Sequence, residues 1–476
     1  MTQRTRREFL EDSLLAAAAT LAGSTVASPR AAMPRRRGGD VIRVAVIGVR
    51  GRGRGHVKAY KQSPNAEVVA ICDCDEGVIE RAMKAVPTAK YYKDIRELLQ
   101  DDGIDAVSIA MPNHWHSLAS IWAMQAGKDV FVEKPVSHNV IEGRRVVEAA
   151  RKYGRIVQHG TQARSMTATR DAMAWLQDGG LGEVRVARAL CYKRRESIGK
   201  VDGPQTPPAT LDYNLWIGPA AMEPLHRKSL HYDWHWDFNT GNGDIGNQGV
   251  HQMDIARWGL GQEGLPTRVV SCGGRLGYED DANTPNTQIA VYDYGAQQVI
   301  FEVRGLPTEG YRNTHIGVVF HCERGYLVSA SYGKVVAFDL DGKPIKMFEG
   351  AGDHIGNFLD AVRARDPKLL NADIEGGHIS SAMCHLGNVS YRLGTPQRLD
   401  AVESPFAANE AAADSFLRFR EHLEQQGLKP DATDYRMGPT LQINPSDERC
   451  HGPMAAVANE LCTRPARQPF AVPEEV

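Results

Sequence analysis

The chain has 476 residues, enough for two or three domains at roughly 100–200 residues each. Hydrophobic residues make up 42% and charged residues 24%, and 56 Lys+Arg stand against 58 Asp+Glu for a net charge of -2. Near-neutrality supplies no electrostatic case for a nucleic-acid binder, which needs a strongly basic face, no apolar run reaches the roughly 18 residues of a membrane span, and eight cysteines are too few for a disulfide-built scaffold.

Residues 1–38 read as a label and linker. Arg6-Arg7 precede Phe9-Leu10, a weakly apolar Leu/Ala stretch and a small-residue end before Pro29, the layout of an export signal. The paired arginines resemble a twin-arginine signal, with cleavage after Ala27 or near Ala32. The expectation is an exported, periplasmic protein, carried across already folded.

Residues 39–160 carry a dinucleotide-binding pattern. A β-rich run, Val41–Ile47, closes in the turn Gly48-Val49-Arg50-Gly51-Arg52-Gly53. A helix is predicted next, then a second strand, Glu67–Cys72, ending in Asp73. Glycines let the backbone approach a pyrophosphate, free N–H groups at the helix start receive it, and a carboxylate about 20 residues on accepts from a ribose hydroxyl. The usual second glycine is Arg50, so either Gly51 provides the close approach or Arg50 itself contacts phosphate. Asp73, Asp75 and Glu76 would repel a 2′-phosphate, which favours NAD over NADP. Cys72 and Cys74 read as free thiols.

Two further predicted strands, Ala106–Ala110 and Lys128–Val132, end in Pro112-Asn113-His114-Trp115-His116 and in Glu133-Lys134-Pro135. Ligands of open parallel sheets bind at such carboxyl ends, which brings Asn113, His116, Glu133 and Lys134 to the edge that holds Gly48 and Asp73.

The glycine turn, the strand-end acid, P-N-x-x-H and A-G-K-x-V-x-x-E-K-P together resemble the Gfo/Idh/MocA oxidoreductases, from about Val41 to Asp400. The resemblance implies a Rossmann domain with a doubly wound parallel sheet, followed over 161–400 by an α/β domain with a large, mostly antiparallel open sheet. It also implies a homo-oligomer, dimer or tetramer. Family members often carry D-x-x-x-H beside the reacting sugar carbon. Here Asn247 stands at the Asp position and His251 at the His.

After a predicted helix, Ile141–Tyr153, the strand Ile156–Gly160 leads into Gln162 and Arg164. Alternating β segments then recur from Glu183–Tyr192 to Lys334–Phe338, as in a sheet with one packed face. The densest chemistry lies in His231–Phe238 and Gly241–Asp254. If the chain is helical from about Ile245, Asn247 and His251 share a face one turn apart. His231 and His235 have metal-ligand spacing, but interleaved Trp234 and Trp236 read as packing or sugar-stacking groups, and no metal is assigned. Residues 401–476 read as a charged helix, Ala407–Gln426, and an irregular tail in which Cys450 and Cys462 either bridge or stay free.

Oxidising a secondary alcohol needs a hydride acceptor and a base near the hydroxyl. Lys134 and His251 are the catalytic candidates. Gly48, Arg50, Gly51, Gly53, Asp73, Asn113, His116, Glu133, Lys134 and Gln162 are the cofactor contacts, and Arg164, His231, His235, Asn247 and His251 the substrate contacts. The reading is an NAD-dependent oxidoreductase acting on a sugar, cyclitol or glycoside hydroxyl, with a tightly held cofactor. Its rivals are an NAD-using, redox-neutral glycosidase (oxidation, elimination, hydration, reduction) and a non-catalytic sugar-binding protein of the same fold.

Overall fold

The computed structural model describes residues 41–400 and 404–476; the expected export signal lies outside them. Within these residues the strands form two sheets. The first contains β1 (Ile42–Ile47), β2 (Ala66–Cys72), β3 (Lys90–Tyr92), β4 (Ala106–Ile109), β5 (Asp129–Val132) and β6 (Val157–His159) in the order β3-β2-β1-β4-β5-β6. Every pairing is parallel. Ala45, Ile47, Val107 and Val130 pack to one side with Leu118 and Val146, while Val44, Val46 and Phe131 face the other with Val57 and Phe358. A sheet covered on both faces explains why these strands are apolar without alternation.

The second sheet is built from β7 (Val184–Tyr192), β8 (Arg268–Gly274), β9 (Thr287–Asp293), β10 (Gln298–Arg304), β11 (Ile316–Cys322), β12 (Gly325–Ser331), β13 (Lys334–Phe338), β14 (Pro344–Glu349), β15 (Thr395–Arg398), β16 (Asp434–Met437), β17 (Leu441–Asn444) and β18 (Arg449–His451). Its order is β14-β13-β12-β11-β7-β10-β9-β8-β16-β15, with β17 bridging β8 and β18. Only β7 and β10 run parallel; the other pairings are antiparallel. Val299, Phe301 and Val303 of β10 enter the inner core with Met253 and Met383 of the Gly249–Gly259 and Ile374–Arg392 helices. Ile300 points the other way, onto Phe416 and Phe419 of the Glu410–Gln425 helix. On that outer face Glu302 is fully buried and accepts from Arg188 (3.3 Å), Arg304 (3.3 Å) and Arg418 (2.5 Å).

The chain beyond Gln426 is not irregular, as its sequence suggests. It supplies β16, β17 and β18, the short helix Ala455–Leu461, and a segment that returns to the first domain. Strands of three or four residues are fixed by the ladder they join, so their sequence carries little period-2 signal. Cys450 and Cys462 are buried and unbridged.

Candidate active site

A cavity of about 460 Å³ lies along the carboxyl edge of the parallel sheet, roofed by residues from the second domain. Its floor starts at the glycine turn. Gly48 has φ +83°, and a Cβ there would sit 2.7 Å from the carbonyl oxygen of Ala110. A Cβ on Gly53 would stand 1.9 Å from the oxygen of Gly48, so only glycine lets the Arg52–Gln62 helix start this close to β1. That helix has no side-chain cap and no acid in its first turn, which leaves its first N–H groups for an anion. Arg50 and Gly51 both line the cavity, and a Cβ on Gly51 would meet nothing within 4 Å. Gly53 acts beneath the surface, through packing.

Asp73 lines the cavity at the end of β2. Its Oδ2 accepts from the Val49 N–H (2.9 Å) and its Oδ1 from the Asp75 N–H (3.1 Å). Burial raises its pKa against the pull of those two amides. Four lone-pair positions on a carboxylate leave room for two ribose hydroxyls besides. Asn113 also lines the cavity and donates from Nδ2 to Asn242 Oδ1 (2.9 Å), tying the end of β4 to the second domain. His116 serves mainly as a brace: its ring nitrogens reach the carbonyls of Met111 (2.8 Å) and Pro135, and burial lowers its pKa. Glu133 is buried. Burial opposes its ionisation, but the His56 hydrogen bond (3.0 Å) and the charges of Arg52 (2.8 Å) and Lys134 hold its pKa well below the usual range.

Lys134 and Asn247 meet directly. Lys134 Nζ donates to the Asn247 carbonyl oxygen (2.9 Å) and to its Oδ1 (3.3 Å). Burial lowers the lysine pKa, with Glu133 pulling in the opposite direction. The continuous helix expected from Ile245 is broken. A short helix, Gly243–Gly246, ends at Asn247 (φ -97°, ψ -83°), and a second runs from Gly249 to Gly259. The break turns Asn247 toward the lysine, while His251, in the first turn of the second helix, still lines the cavity. His251 is 6% exposed and its Nδ1 has no partner. Burial first, then the charge of Lys134, pushes its pKa down to about 3, so the imidazole is neutral at physiological pH.

The roof comes from residues 211–236. His231 Nε2 meets Asp75 Oδ2 (2.7 Å), and Thr210 Oγ1 donates to Asp75 Oδ1 (2.7 Å), so this stretch is pinned to the end of β2. Burial would raise the Asp75 pKa, but these hydrogen bonds bring it below the ordinary carboxylate value. His235 stacks on Trp234 at 3.6 Å, and its Nδ1 meets the Tyr232 carbonyl. A carbonyl can only accept, so Nδ1 carries the proton and Nε2 is left as an acceptor. Burial lowers the His235 pKa to about 3. Gln162, His231 and His235 line the cavity; Arg164 does not. Its guanidinium is taken by the fully buried Asp254 (2.8 Å) and lies over Trp258, beside a separate surface groove.

Several residues at or behind the wall escape a sequence reading. Behind it, Arg195 binds Asp244 (2.9 Å from Nε to Oδ2) and donates to the hydroxyl of the wall residue Tyr232 (2.7 Å), whose φ is +76°. Trp115, Leu215 and Trp216 close the end beside Asp73. Trp115 sits at an unspecified position of P-N-x-x-H, and no motif marks the others; their one available signal is the density of aromatic residues around Gly218–Trp236.

An uncapped helix start, a glycine cradle that a Cβ would fill and a strand-end carboxylate with spare acceptor sites fit a dinucleotide. Among the described residues no cluster of His, Cys, Asp and Glu is arranged for a metal, and no helix is long and apolar enough to cross a membrane. Residues 42–161 match the NAD-binding Rossmann fold of the Gfo/Idh/MocA oxidoreductase family, and 184–422 its C-terminal α/β domain. The chain belongs to that family. Its first domain is therefore an NAD-binding Rossmann domain. Among curated relatives, a glycosyl hydrolase family 109 protein of Shewanella pealeana is 34% identical over 171 residues, 31% of this chain and 37% of that relative. An alpha-N-acetylgalactosaminidase of Shewanella oneidensis is 35% identical over 122 residues, 24% of this chain and 27% of that relative. The chain thus spans little more than a third of these relatives. Of solved structures, the WlbA dehydrogenase of Bordetella pertussis with NADH and UDP-GlcNAcA has a TM-score of 0.54 at 18% identity, covering 72% of this chain and 94% of that one. Levoglucosan dehydrogenase with NADH and levoglucosan has a TM-score of 0.56 at 16% identity, covering 72% and 95%. These likenesses establish the fold.

Proposed function

We propose that the protein is an NAD-dependent oxidoreductase acting on a secondary hydroxyl of a sugar, cyclitol or glycoside. The observation that carries this reading is the pair Lys134–Asn247 in one cavity with His251. Burial biases the lysine toward its neutral amine, and Asn247 fixes the direction of Nζ. A neutral amine takes the hydroxyl proton as the C–H bond breaks. His251 offers a neutral imidazole at the same cavity and holds the substrate oxygen by a hydrogen bond. A bound nicotinamide supplies the hydride acceptor, with Gly48, Arg50, Gly51 and Asp73 holding the rest of the nucleotide. Trp234 and His235 offer a stacking and hydrogen-bonding wall for a sugar ring.

The names of the Shewanella relatives favour a second reading, a redox-neutral glycosidase, in which oxidation acidifies a neighbouring C–H, the aglycone leaves, water adds and reduction restores the sugar. One experiment separates the two. Purified protein is incubated with free sugars and aryl glycosides while NADH absorbance and aglycone are followed together. Accumulating NADH supports the dehydrogenase; aglycone released without NADH supports the glycosidase. Neither signal across a broad panel refutes both, and leaves the sugar-binding protein.

The twin-arginine pattern at Arg6-Arg7 supports export of the folded protein to the periplasm, where free NAD is scarce, so the cofactor is carried along and recycled on the enzyme. Protein purified from the periplasm without added NAD should contain it; empty protein that exchanges NAD rapidly contradicts this. Exposed Ile345 and Met347 on the edge strand β14 support the expected homo-oligomer, which sedimentation equilibrium tests.

A further inference from the structure

We propose that the segment Cys462–Phe470 is a strap that retains the dinucleotide, with Arg467 and Phe470 as its positioning residues. The proposal rests on NAD filling the cavity, as the family's Rossmann domain requires.

The end of the cavity beside Asp73 is roofed by Leu215 and Trp216, with Trp115 beneath them. This end lies apart from the reacting groups: β2, which precedes Asp73, and β5, which precedes Lys134, are three strand positions apart, roughly 14 Å. The roof is held through its backbone. Trp115 Nε1 donates to the carbonyls of Leu215 (3.1 Å) and Trp216 (3.0 Å), and His114 Nε2 meets the latter at 2.9 Å. Gly218 follows at φ +45°, where a Cβ would fall 2.2 Å from the Trp115 ring.

Each of these holding groups is in turn gripped by the C-terminal segment. Arg464 donates to the His114 carbonyl (2.8 Å) while paired with Glu142 (2.5 Å). Arg467 donates to the Gly218 carbonyl and to Asn214 Oδ1, at the two ends of the roof. Phe470, 1% exposed, sets its ring against Trp115 at 5.6 Å and 76°. The guanidinium groups of Arg96 and Arg467 lie over the same ring at 5.3 and 5.0 Å. None of these segment residues lines the cavity. They act by keeping Leu215–Gly218 down on Trp115. Without them the roof retains three hydrogen bonds to His114 and Trp115, but the tryptophan loses the aromatic edge that fixes its ring.

The test uses the full chain loaded with radiolabelled NAD and chased with excess unlabelled NAD. Arg467→Ala and Phe470→Ala should each speed NAD release by about tenfold or more, since loss of a holding contact is felt chiefly in the off-rate. Phe470→Tyr, which keeps the ring, should restore slow release, and Arg467→Lys should fall between. Phe419→Ala, in the separate core under the Glu410–Gln425 helix, lowers the melting temperature without touching the strap and should leave release unchanged. Release within twofold of wild type in both alanine variants overturns the proposal, as does equal acceleration in Phe419→Ala. Wild-type protein that neither carries NAD on purification nor takes it up on prolonged incubation refutes occupancy of the cavity rather than the strap.

Discussion

Burial drives Lys134 toward its neutral amine against the pull of Glu133, and Asn247 is the neighbour its Nζ touches. The Asn247 backbone carbonyl and side-chain amide each accept a hydrogen bond from Nζ without adding a negative charge, so burial keeps the pKa lowered. The neutral amine is the base, so kcat/KM for oxidation should rise with pH through an apparent pKa below the free lysine value of about 10.4. Asn247→Asp places a carboxylate at the same spot, and should move that limb to higher pH; an unmoved pH profile would detach Asn247 from the lysine's titration. Lys134→Ala should lose about 100- to 10,000-fold in kcat, the usual worth of a general base, while NAD content in the purified protein stays at the wild-type level. At the other end of the cavity, Asp73→Ala should narrow the preference for NAD over NADP by about tenfold or more, a charged hydrogen bond being worth roughly 1.5–3 kcal/mol. Competitive binding of the two dinucleotides measures it.

Among the elements, the turn and helix at Gly48–Gln62 are the most constrained. Gly53→Ala would drive a Cβ to 1.9 Å from a backbone oxygen, and neither partner is a flexible side chain. The helix must shift, at a cost of about 2 kcal/mol or more, and both melting temperature and NAD affinity should fall. A wild-type melting curve for this variant would mean that the close helix start is dispensable. This turn was legible in the sequence because its chemistry is local: glycines, a β-rich run and an acid at fixed spacing. The Asn247–His251 element was half legible. The residue types and spacing pointed to the cavity, but the Asn247 carbonyl freed at the break after Gly246 is met by Lys134 from 113 positions away, a partner that no window of sequence contains. Arg164 was misplaced for a similar reason. Its buried acid, Asp254, lies 90 residues on. A cation two residues beyond Gln162, which does line the cavity, looks like a ligand contact until that acid is seen.

At the scale of the whole molecule, two sheets share one cavity, and the alternation of β7 to β13 together with the apolar runs of β1 to β6 made both sheets readable. What the sequence could not place was the traffic between them: residues 211–236 laid over the end of β2, and the final strands inserted beside β8. The outer face of the large sheet carries a charge cluster that sets the acid limit of the fold. Burial opposes ionisation of Glu302, but Arg418, Arg304 and Arg188 overcome it and bring its pKa down to about 2. A folded pKa below the unfolded value of about 4.3 contributes stability above that value, lost as pH falls toward 2. Glu302→Gln should therefore cost about 3 kcal/mol at pH 7, where Arg304 loses its counter-charge and Arg188 and Arg418 are left with Asp414 alone (2.9 and 3.2 Å). The deficit should shrink between roughly pH 4 and pH 2 as the native carboxylate becomes protonated. Denaturant unfolding of both proteins across that range gives the comparison, and a pH-independent deficit would mean the cluster acts by packing alone.

The strap also sets an order of events during synthesis. The Rossmann strands are complete at His159, whereas Arg464, Arg467 and Phe470 emerge about 300 residues later. At roughly 5–20 residues per second, the roof residues Leu215–Trp216 follow within about 3–11 s, but the strap that holds them down follows only after about 15–60 s. During that interval the way in is open, because the contacts of Arg464, Arg467 and Phe470 that keep Leu215–Gly218 down on Trp115 are not yet made. NAD loading is therefore expected on the nascent chain. A protein stripped of nucleotide after folding has to lift the strap to refill, and its uptake should be slow for the same structural reason that its release is.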